Sequence, residues 1–255
     1  MEVNYLDLLF TRRFDSSTKI PNHPKYFTIG NNLIGSAGNI VTLVGLPKAG
    51  KSSFLTAIIA SGLIQRAVFD FELKLYPEQK KTKIAWFDTE QSADDFNRSM
   101  QKVKDFSCLP ESEIYNYLDC FLVNSDTSKD ILGMIESYLQ AQPSCAILVL
   151  DGLLDVVDNL NDEREAKLII RKLKKLAKDY SILIITVLHL GKKDLSSIGH
   201  IGSEADRRAQ SVLNIEKTKN NSYICSAKML RSAAGFTPIE IYYNTLSGKI
   251  CQTFS

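Results

Sequence analysis

The sequence contains no apolar run close to the length of about eighteen residues that predicts a membrane-spanning helix. Its N-terminal stretch, MEVNYLDLLFTRRFDSS, also lacks an uninterrupted apolar core followed by a cleavage site. We therefore expect a protein that is neither exported nor held in a membrane.

Cysteine patterns typical of metal sites and disulfide frameworks are missing too. The five cysteines are odd in number and scattered, without a C-x-x-C pair or histidines at ligand spacing. A disulfide framework and a zinc site are therefore disfavoured. This cysteine usage fits a reduced compartment, and we expect a cytoplasmic location.

A strong charge of one sign is absent as well. The formal net charge is only +2, so bulk charge does not predict a nucleic-acid binder, and any such surface would be local. With 255 residues, the chain can form one large α/β domain or two small ones. We favour a single domain over residues 30–255, preceded by a lead-in segment over residues 1–29.

Apolar runs alternate with amphipathic stretches through most of the chain. The runs at 39–45, 84–90, 120–126, 145–152 and 181–191 predict strands, and the run at 145–152 is the best candidate for the middle of a parallel sheet. Helices are predicted over 51–66, 92–106, 128–142 and 162–180. A glycine- and serine-rich stretch at 191–203 has no periodicity and predicts a loop.

The C-terminal part of the sequence has a different pattern. Strand-like runs at 211–217, 222–230 and 238–244 are joined by turn-forming residues, which predicts an antiparallel extension. The whole pattern predicts a three-layer α/β domain with a mostly parallel central sheet. Such domains bind ligands beyond the carboxyl ends of the parallel strands.

The stretch GLPKAGKSS follows the first of these strands and precedes the first helix. It matches the phosphate-loop pattern Gly45-x-x-x-x-Gly50-Lys51-Ser52. Backbone N–H groups at such a loop converge on phosphate oxygens, Lys51 reaches the terminal phosphates, and the Ser52 hydroxyl ligates Mg²⁺. The sequence therefore predicts binding of ATP or GTP with Mg²⁺. The predicted nucleotide-binding residues are Gly45, Leu46, Pro47, Lys48, Ala49, Gly50, Lys51, Ser52 and Ser53.

Acidic residues end two of the predicted strands. Asp151 follows the apolar run AILVL, where a carboxylate supports the metal, although a strand-terminal Asp is also a common turn former. The next residue is Gly152 rather than a second acid, so a tandem acidic pair is absent. Glu90 is the remaining candidate for orienting the attacking water, with Asp88 on the same side of its strand. Glu90 is alternatively a capping carboxylate of the following helix.

A carboxylate after the second strand is the arrangement of RecA-like ATPases. The motifs GNIVTLVGLPKAGKSS, IAWFDTEQS, AILVLDGLLDVVDNLNDEREA, TVLHLGK and GHIGSEADRRAQSVLNIEK resemble, in order and spacing, the RepA-type branch of that family. This branch includes hexameric replicative helicases of small plasmids and relatives on mobile elements and phages. The resemblance covers residues 30–245 and implies a RecA-like P-loop fold.

The resemblance also implies roles for single residues. It implies that Lys51 and Ser52 bind phosphates and Mg²⁺, that Glu90 activates water and that Asp151 supports the metal. His189, after the strand at 181–191, matches the family's polar sensor of the γ-phosphate. Taken alone, a histidine at a strand end is more often structural.

The resemblance further implies a ring of identical subunits, such as a hexamer, with single-stranded DNA in a central channel. The loop at 191–203 corresponds to the segment that faces this channel, where Lys192, Lys193 and His200 could contact phosphates. The loop contains no aromatic residue for base stacking, so a solvated surface loop is an alternative.

An arginine supplied in trans stabilises transition-state charge in such rings. Arg231 resembles the finger arginine that hexameric helicases carry on a late strand, with Lys228 as its companion. The spacing departs by one residue from the usual lysine-x-arginine, which affects Lys228 more than Arg231. Arg207 and Arg208 are rival candidates, and a surface base without a role in catalysis is an alternative for each of the three arginines.

Three functional hypotheses follow. The first is a Mg²⁺-dependent ATPase that works as a helicase or motor on single-stranded DNA during replication or mobilisation of an element. The second is a regulatory or loader ATPase that binds nucleotide and partner proteins without translocating. A small-molecule kinase is a third possibility, but the sequence has no arginine-rich lid over the phosphates.

Overall fold

The computed structural model describes residues 5–14, 23–191, 196–244 and 249–253. The strands within these ranges are β1 (Phe27–Ile29), β2 (Asn32–Gly35), β3 (Asn39–Gly45), β4 (Phe71–Leu73), β5 (Lys83–Asp88), β6 (Leu118–Leu122), β7 (Cys145–Asp151), β8 (Leu183–His189), β9 (Ser211–Lys217), β10 (Ser222–Leu230), β11 (Ile239–Asn244) and β12 (Lys249–Gln252). The α-helices are α1 (Tyr5–Phe10), α2 (Lys51–Ile64), α3 (Ala93–Ser107), α4 (Glu111–Tyr117), α5 (Ser128–Ala141), α6 (Glu163–Asp179) and α7 (Gly199–Arg208). Short 3-10 helices cover Pro77–Gln79 and Leu153–Val156.

A nine-stranded sheet forms the centre of the molecule, in the order β12-β11-β10-β9-β3-β8-β7-β5-β6. The strands from β9 to β6 are parallel, whereas β10, β11 and β12 extend the sheet in antiparallel fashion. β7 lies between β8 and β5, and all of its residues are buried. The predicted mostly parallel sheet with an antiparallel C-terminal extension is confirmed.

Helices cover both faces of the large sheet. Apolar residues of α2 and α3 pack on one face, together with β1, β2 and β4. Apolar residues of α5, α6 and α7 pack on the other face. These two clusters form the two cores of a three-layer α/β domain, as predicted.

The starts of α3 and α6 are fixed by side-chain caps. The Ser92 hydroxyl accepts a hydrogen bond from the Asp95 backbone N–H at the start of α3. The Asp162 carboxylate accepts from the backbone N–H groups of Arg164 and Glu165 at the start of α6. Each cap satisfies amides that have no partner within the helix.

A second, three-stranded sheet was not predicted. It has the order β2-β1-β4 and is antiparallel, and β1 falls within the segment 1–29 that we treat as a lead-in. Its strands have only three or four residues, too few to show a clear alternation. The domain boundary at residue 30 stays a prediction.

The prediction of a loop over residues 191–203 is wrong from Gly199 onwards, because α7 begins there. Tertiary contacts offset the poor helix propensity of this glycine-rich stretch. The His200 backbone N–H donates to the Leu160 carbonyl at 2.9 Å, and the Ile201 and Ala205 side chains are buried. Helix α4 and strand β12 are further elements that the sequence did not predict.

No helix in the described part of the chain is both long enough and apolar enough to cross a membrane.

Candidate nucleotide site

The carboxyl ends of four parallel strands bring the predicted site residues to one edge of the sheet. Gly45 at the end of β3 is paired in register with His189 at the end of β8. Asp88 at the end of β5 is paired in the same way with Asp151 at the end of β7. Residues far apart in the sequence therefore meet where open α/β sheets bind ligands.

The phosphate loop connects β3 to α2. Gly50 directly precedes α2 and has a φ angle of 92° in the left-handed region, which favours glycine. The ring of Tyr223 lies against it, and a Cβ atom at Gly50 would be 2.6 Å from the Tyr223 Cδ1 atom. The second glycine of the motif is thus required both by backbone conformation and by packing against β10.

A cavity of about 410 Å³ opens over this loop. Its lining combines loop residues with side chains from β7, β8, β10, α3 and the segment after β5. The lining residues are Lys48, Ala49, Gly50, Lys51, Ser52, Ser53, Glu90, Lys102, Asp151, Val187, His189 and Tyr223. Leu46 and Pro47 line an adjoining cavity of about 560 Å³ between the loop and strands β9 and β10.

His189 links the loop lysine to the predicted water-activating carboxylate. Lys51 Nζ is 2.9 Å from His189 Nδ1, and His189 Nε2 is 3.0 Å from Glu90 Oε2. Because an ammonium group can only donate, Nδ1 accepts and the Nε2–H group donates to Glu90. Lys51 also donates to the carbonyls of Gly45 and Leu46 at 3.1 and 3.0 Å, so the protein engages all three of its hydrogens.

Glu90 is ionised in this network. Although burial opposes ionisation, the hydrogen bond from His189 and the charge of Lys51 lower the pKa of Glu90. A carboxylate held in its basic form beside the phosphate loop is suited to accept a proton from water. Glu90 does not cap α3, because Ser92 does so.

Asp88 and Asp151 bring two carboxyl groups together in the interior, and both are buried. The Gln91 amide donates to Asp88 Oδ2 and lies 3.4 Å from Asp151 Oδ2. Burial, followed by the charges of Asp88 and Glu90, raises the pKa of Asp151 well above its usual value. Buried carboxylates that lack sufficient positive charge suit a divalent cation, and Ser52 lines the same cavity.

The structure explains why no acid follows Asp151. Gly152 has a φ angle of 115°, and a Cβ atom there would lie 1.9 Å from Thr89 Oγ1 and 2.9 Å from Glu90 Cγ. The segment that carries Glu90 therefore occupies the space that a side chain at position 152 would need. With Glu90 placed after β5, this chain has no room for a second glutamate directly after Asp151.

Residues 13–194, more than half of the chain, match the AAA domain. The chain belongs to the AAA domain family. It is therefore an ATPase of the P-loop kind, in agreement with the phosphate loop between β3 and α2. A comparison with curated proteins found no match.

The arginines predicted to act in trans lie elsewhere in the chain, beyond the residues that match the AAA domain. Arg231 follows β10 at the amino ends of β3 and β9, the edge opposite the phosphate loop. Arg207 and Arg208 lie beside it, around a cleft of about 440 Å³. Lys228 does not line this cleft, and its Nζ atom pairs with Asp206 Oδ2 at 2.9 Å.

The predicted DNA-contacting residues are only partly described. Lys192 and Lys193 lie outside the described residues of the AAA domain. His200 is exposed in the first turn of α7.

Sequence reasoning missed three residues of the site: Gln91, Lys102 and Tyr223. Gln91 directly follows Glu90 in the motif WFDTEQ, so its position beside the carboxylates was within reach of the sequence. Lys102 and Tyr223 reach the cavity from α3 and β10 through tertiary packing. No local pattern in the sequence identifies them.

Proposed function

We propose that this AAA domain is a RecA-like ATPase of the RepA-type branch, acting as a helicase or motor on single-stranded DNA in replication or mobilisation of an element. The observation that carries the proposal is the position of Glu90. It follows β5, is bonded to His189 and through it approaches Lys51, whereas position 152 has no room for an acid. This is the carboxylate placement that the sequence resemblance implies for RecA-like ATPases.

The chain's own residues account for a hydrolytic reaction. Lys51 exchanges its bonds to the loop carbonyls for bonds to phosphate oxygens. Glu90 orients a water molecule, accepts its proton and thereby assists attack on the terminal phosphorus. Ser52 and Asp151 would hold Mg²⁺, which supplies charge neutralisation on the phosphates when bound.

His189 is suited to report the state of the nucleotide. It contacts both Lys51 and Glu90, so a movement of Lys51 towards a phosphate removes one of its two partners. The freed Nδ1 atom can then take up a proton and donate to an oxygen of the terminal phosphate, as the sensor assignment requires. This supports the role of His189 as the polar sensor.

In a ring, an arginine of a neighbouring subunit would supply positive charge to the nucleotide site. Glu204, a buried carboxylate, holds Arg207 at 2.9 Å and Arg208 at 2.8 Å. Arg231 donates to the backbone carbonyls of Ala209 and Arg207, so its guanidinium is fixed in place. These arginines lie far from the chain's own phosphate loop, which favours action on another subunit's nucleotide over action in cis.

The DNA-binding part of the proposal is tested by ATP turnover with and without single-stranded DNA, with Mg²⁺ present. We expect DNA to stimulate phosphate release, and high salt to weaken the stimulation because phosphate contacts release counterions. No stimulation at any salt concentration would contradict the motor function.

A regulatory or loader ATPase is the second candidate. The absence of aromatic residues from the sequence 191–203 favours it, since base stacking supports translocating contacts. A strand-displacement assay on a forked duplex, run beside the ATPase assay, separates the two. Hydrolysis without strand displacement would favour the loader.

A further inference from the structure

A second lysine reaches the nucleotide cavity from a different element. Lys102 lies on α3 and lines the cavity that also contains Lys51, Ser52 and Glu90. Its Nζ atom is 3.1 Å from the hydroxyl of Ser53, in the first turn of α2. Lys51, in contrast, is directed towards the end of β3 and His189. Two ammonium groups thus approach the cavity from different sides.

No carboxylate among the described residues balances the charge of Lys102. In the part of the chain that the structure describes, Ser53 Oγ is its hydrogen-bond partner and no carboxylate pairs with it. Burial lowers the pKa of Lys102. Other cations of α3 are paired, Arg98 with Asp95 and Lys104 with Glu111 at 3.7 Å.

A half-buried ammonium group with a hydroxyl as its partner is costly, and an anion beside it offsets that cost. The first turn of α2 already favours anions through its backbone N–H groups and its dipole. Ser53 ends the phosphate-loop stretch, so a phosphate held there would be within reach of Lys102. A purely structural bond between α3 and α2 would not need a charged donor.

We propose that Lys102 is a second phosphate-binding lysine of the nucleotide site, which contacts a phosphate of nucleoside di- and triphosphates over the first turn of α2. The inference rests on the proposed nucleotide-binding function and adds a residue to it. It implies that the affinity for ADP and ATP depends on a charge supplied by α3.

The test is calorimetric titration of the full chain with ADP and with ATP in the presence of Mg²⁺. Lys102→Met removes the charge and the hydrogen bond, whereas Lys102→Gln removes the charge and keeps a donor for Ser53. Both variants should bind each nucleotide about ten- to hundredfold more weakly, because hydrogen bonds to charged groups are the strong ones. Lys102→Arg should restore most of the affinity.

Lys104→Met is the matched control, because it removes the same charge from α3 at a residue that does not line the cavity. It should bind nucleotide like the wild type. Wild-type affinity in Lys102→Gln, or an equal loss in Lys104→Met, would overturn the inference. If the wild-type chain itself bound no nucleotide, the proposed function would fail instead.

Discussion

At the scale of single residues, Asp88 and Asp151 bring two carboxyl groups together in the protein interior. Burial is the largest cause of the raised pKa of Asp151, and the charges of Asp88 and Glu90 add to it. Because the ionised form is disfavoured in the folded protein, the cost is absent below the usual Asp pKa of 3.8 and grows as the pH rises above it. The buried carboxyl pair thus lowers the stability of the folded protein at neutral pH.

We predict that Asp151→Asn increases the free energy of unfolding at pH 7 without divalent cations by about 0.5–2 kcal/mol. The gain should disappear below about pH 4, where the unfolded Asp is also protonated. Urea unfolding at both pH values measures the difference. A variant that is less stable than the wild type at pH 7 would contradict this account of the pair.

Gly152 provides a second prediction at this scale. Gly152→Ala places a Cβ atom against Thr89 and Glu90 at a left-handed φ angle, so the Glu90 segment must move. We expect a loss of about 1–3 kcal/mol in stability and a larger loss in turnover than in ATP affinity. Gly133→Ala is the control, since its Cβ would have no atom within 4 Å. Equal effects of the two changes would argue against the steric explanation.

The sequence predicted those site residues that lie in local motifs. Lys51 and Ser52 follow from the phosphate loop, and Asp151 and Glu90 follow from strand ends. Lys102 and the Tyr223 ring against Gly50 could not be predicted, because tertiary packing brings α3 and β10 to the loop. The hydrogen bond between His189 and Glu90 could be predicted only with the knowledge that β8 and β5 end at the same edge of the sheet.

At the scale of elements, local patterns predicted the long helices and strands, whereas tertiary pairing determined the short ones. Strand β1 pairs with β4, and Thr28 lies opposite Glu72, more than forty positions away in the sequence. Helix α7 starts within a glycine-rich stretch because α6 and the preceding loop bury its apolar face. Neither contact has a local sequence pattern.

The N-terminal cap of α6 allows a prediction for an element that does not touch the site. Asp162→Ala removes the acceptor for the backbone N–H groups of Arg164 and Glu165. We expect the free energy of unfolding to fall by about 1 kcal/mol. Asp179→Ala, an exposed residue in the last turn of α6, is the control and should change stability by less than about 0.5 kcal/mol. Equal losses in urea unfolding would contradict the capping role.

At the scale of the whole molecule, the phosphate loop and the arginine cleft lie at opposite edges of the sheet. The phosphate loop lies at the carboxyl ends of the parallel strands, and the Arg231 cleft lies at the amino end of β3. In a ring, such opposite edges allow one subunit's arginines to approach the next subunit's nucleotide. The proposed trans role of Arg231 depends on this arrangement.

Mixing two inactive variants tests the trans role. Lys51→Ala subunits lack the phosphate-loop lysine and keep Arg231. Arg231→Ala subunits lack Arg231 and keep Lys51. We predict that each is inactive alone and that a mixture regains part of the ATP turnover, because some interfaces contain both intact groups. The particle mass with ATP and single-stranded DNA should be a multiple of the subunit mass. A mixture as inactive as its components would place Arg231 outside the trans site.

In the proposed mechanism, Glu90 activates the water that attacks ATP. The most direct measurement compares ATP affinity and phosphate release for the wild type and Glu90→Gln. We predict that Glu90→Gln binds ATP as tightly as the wild type and hydrolyses it about a hundredfold or more slowly, since the amide cannot accept the proton. Turnover by Glu90→Gln at the wild-type rate would contradict the account.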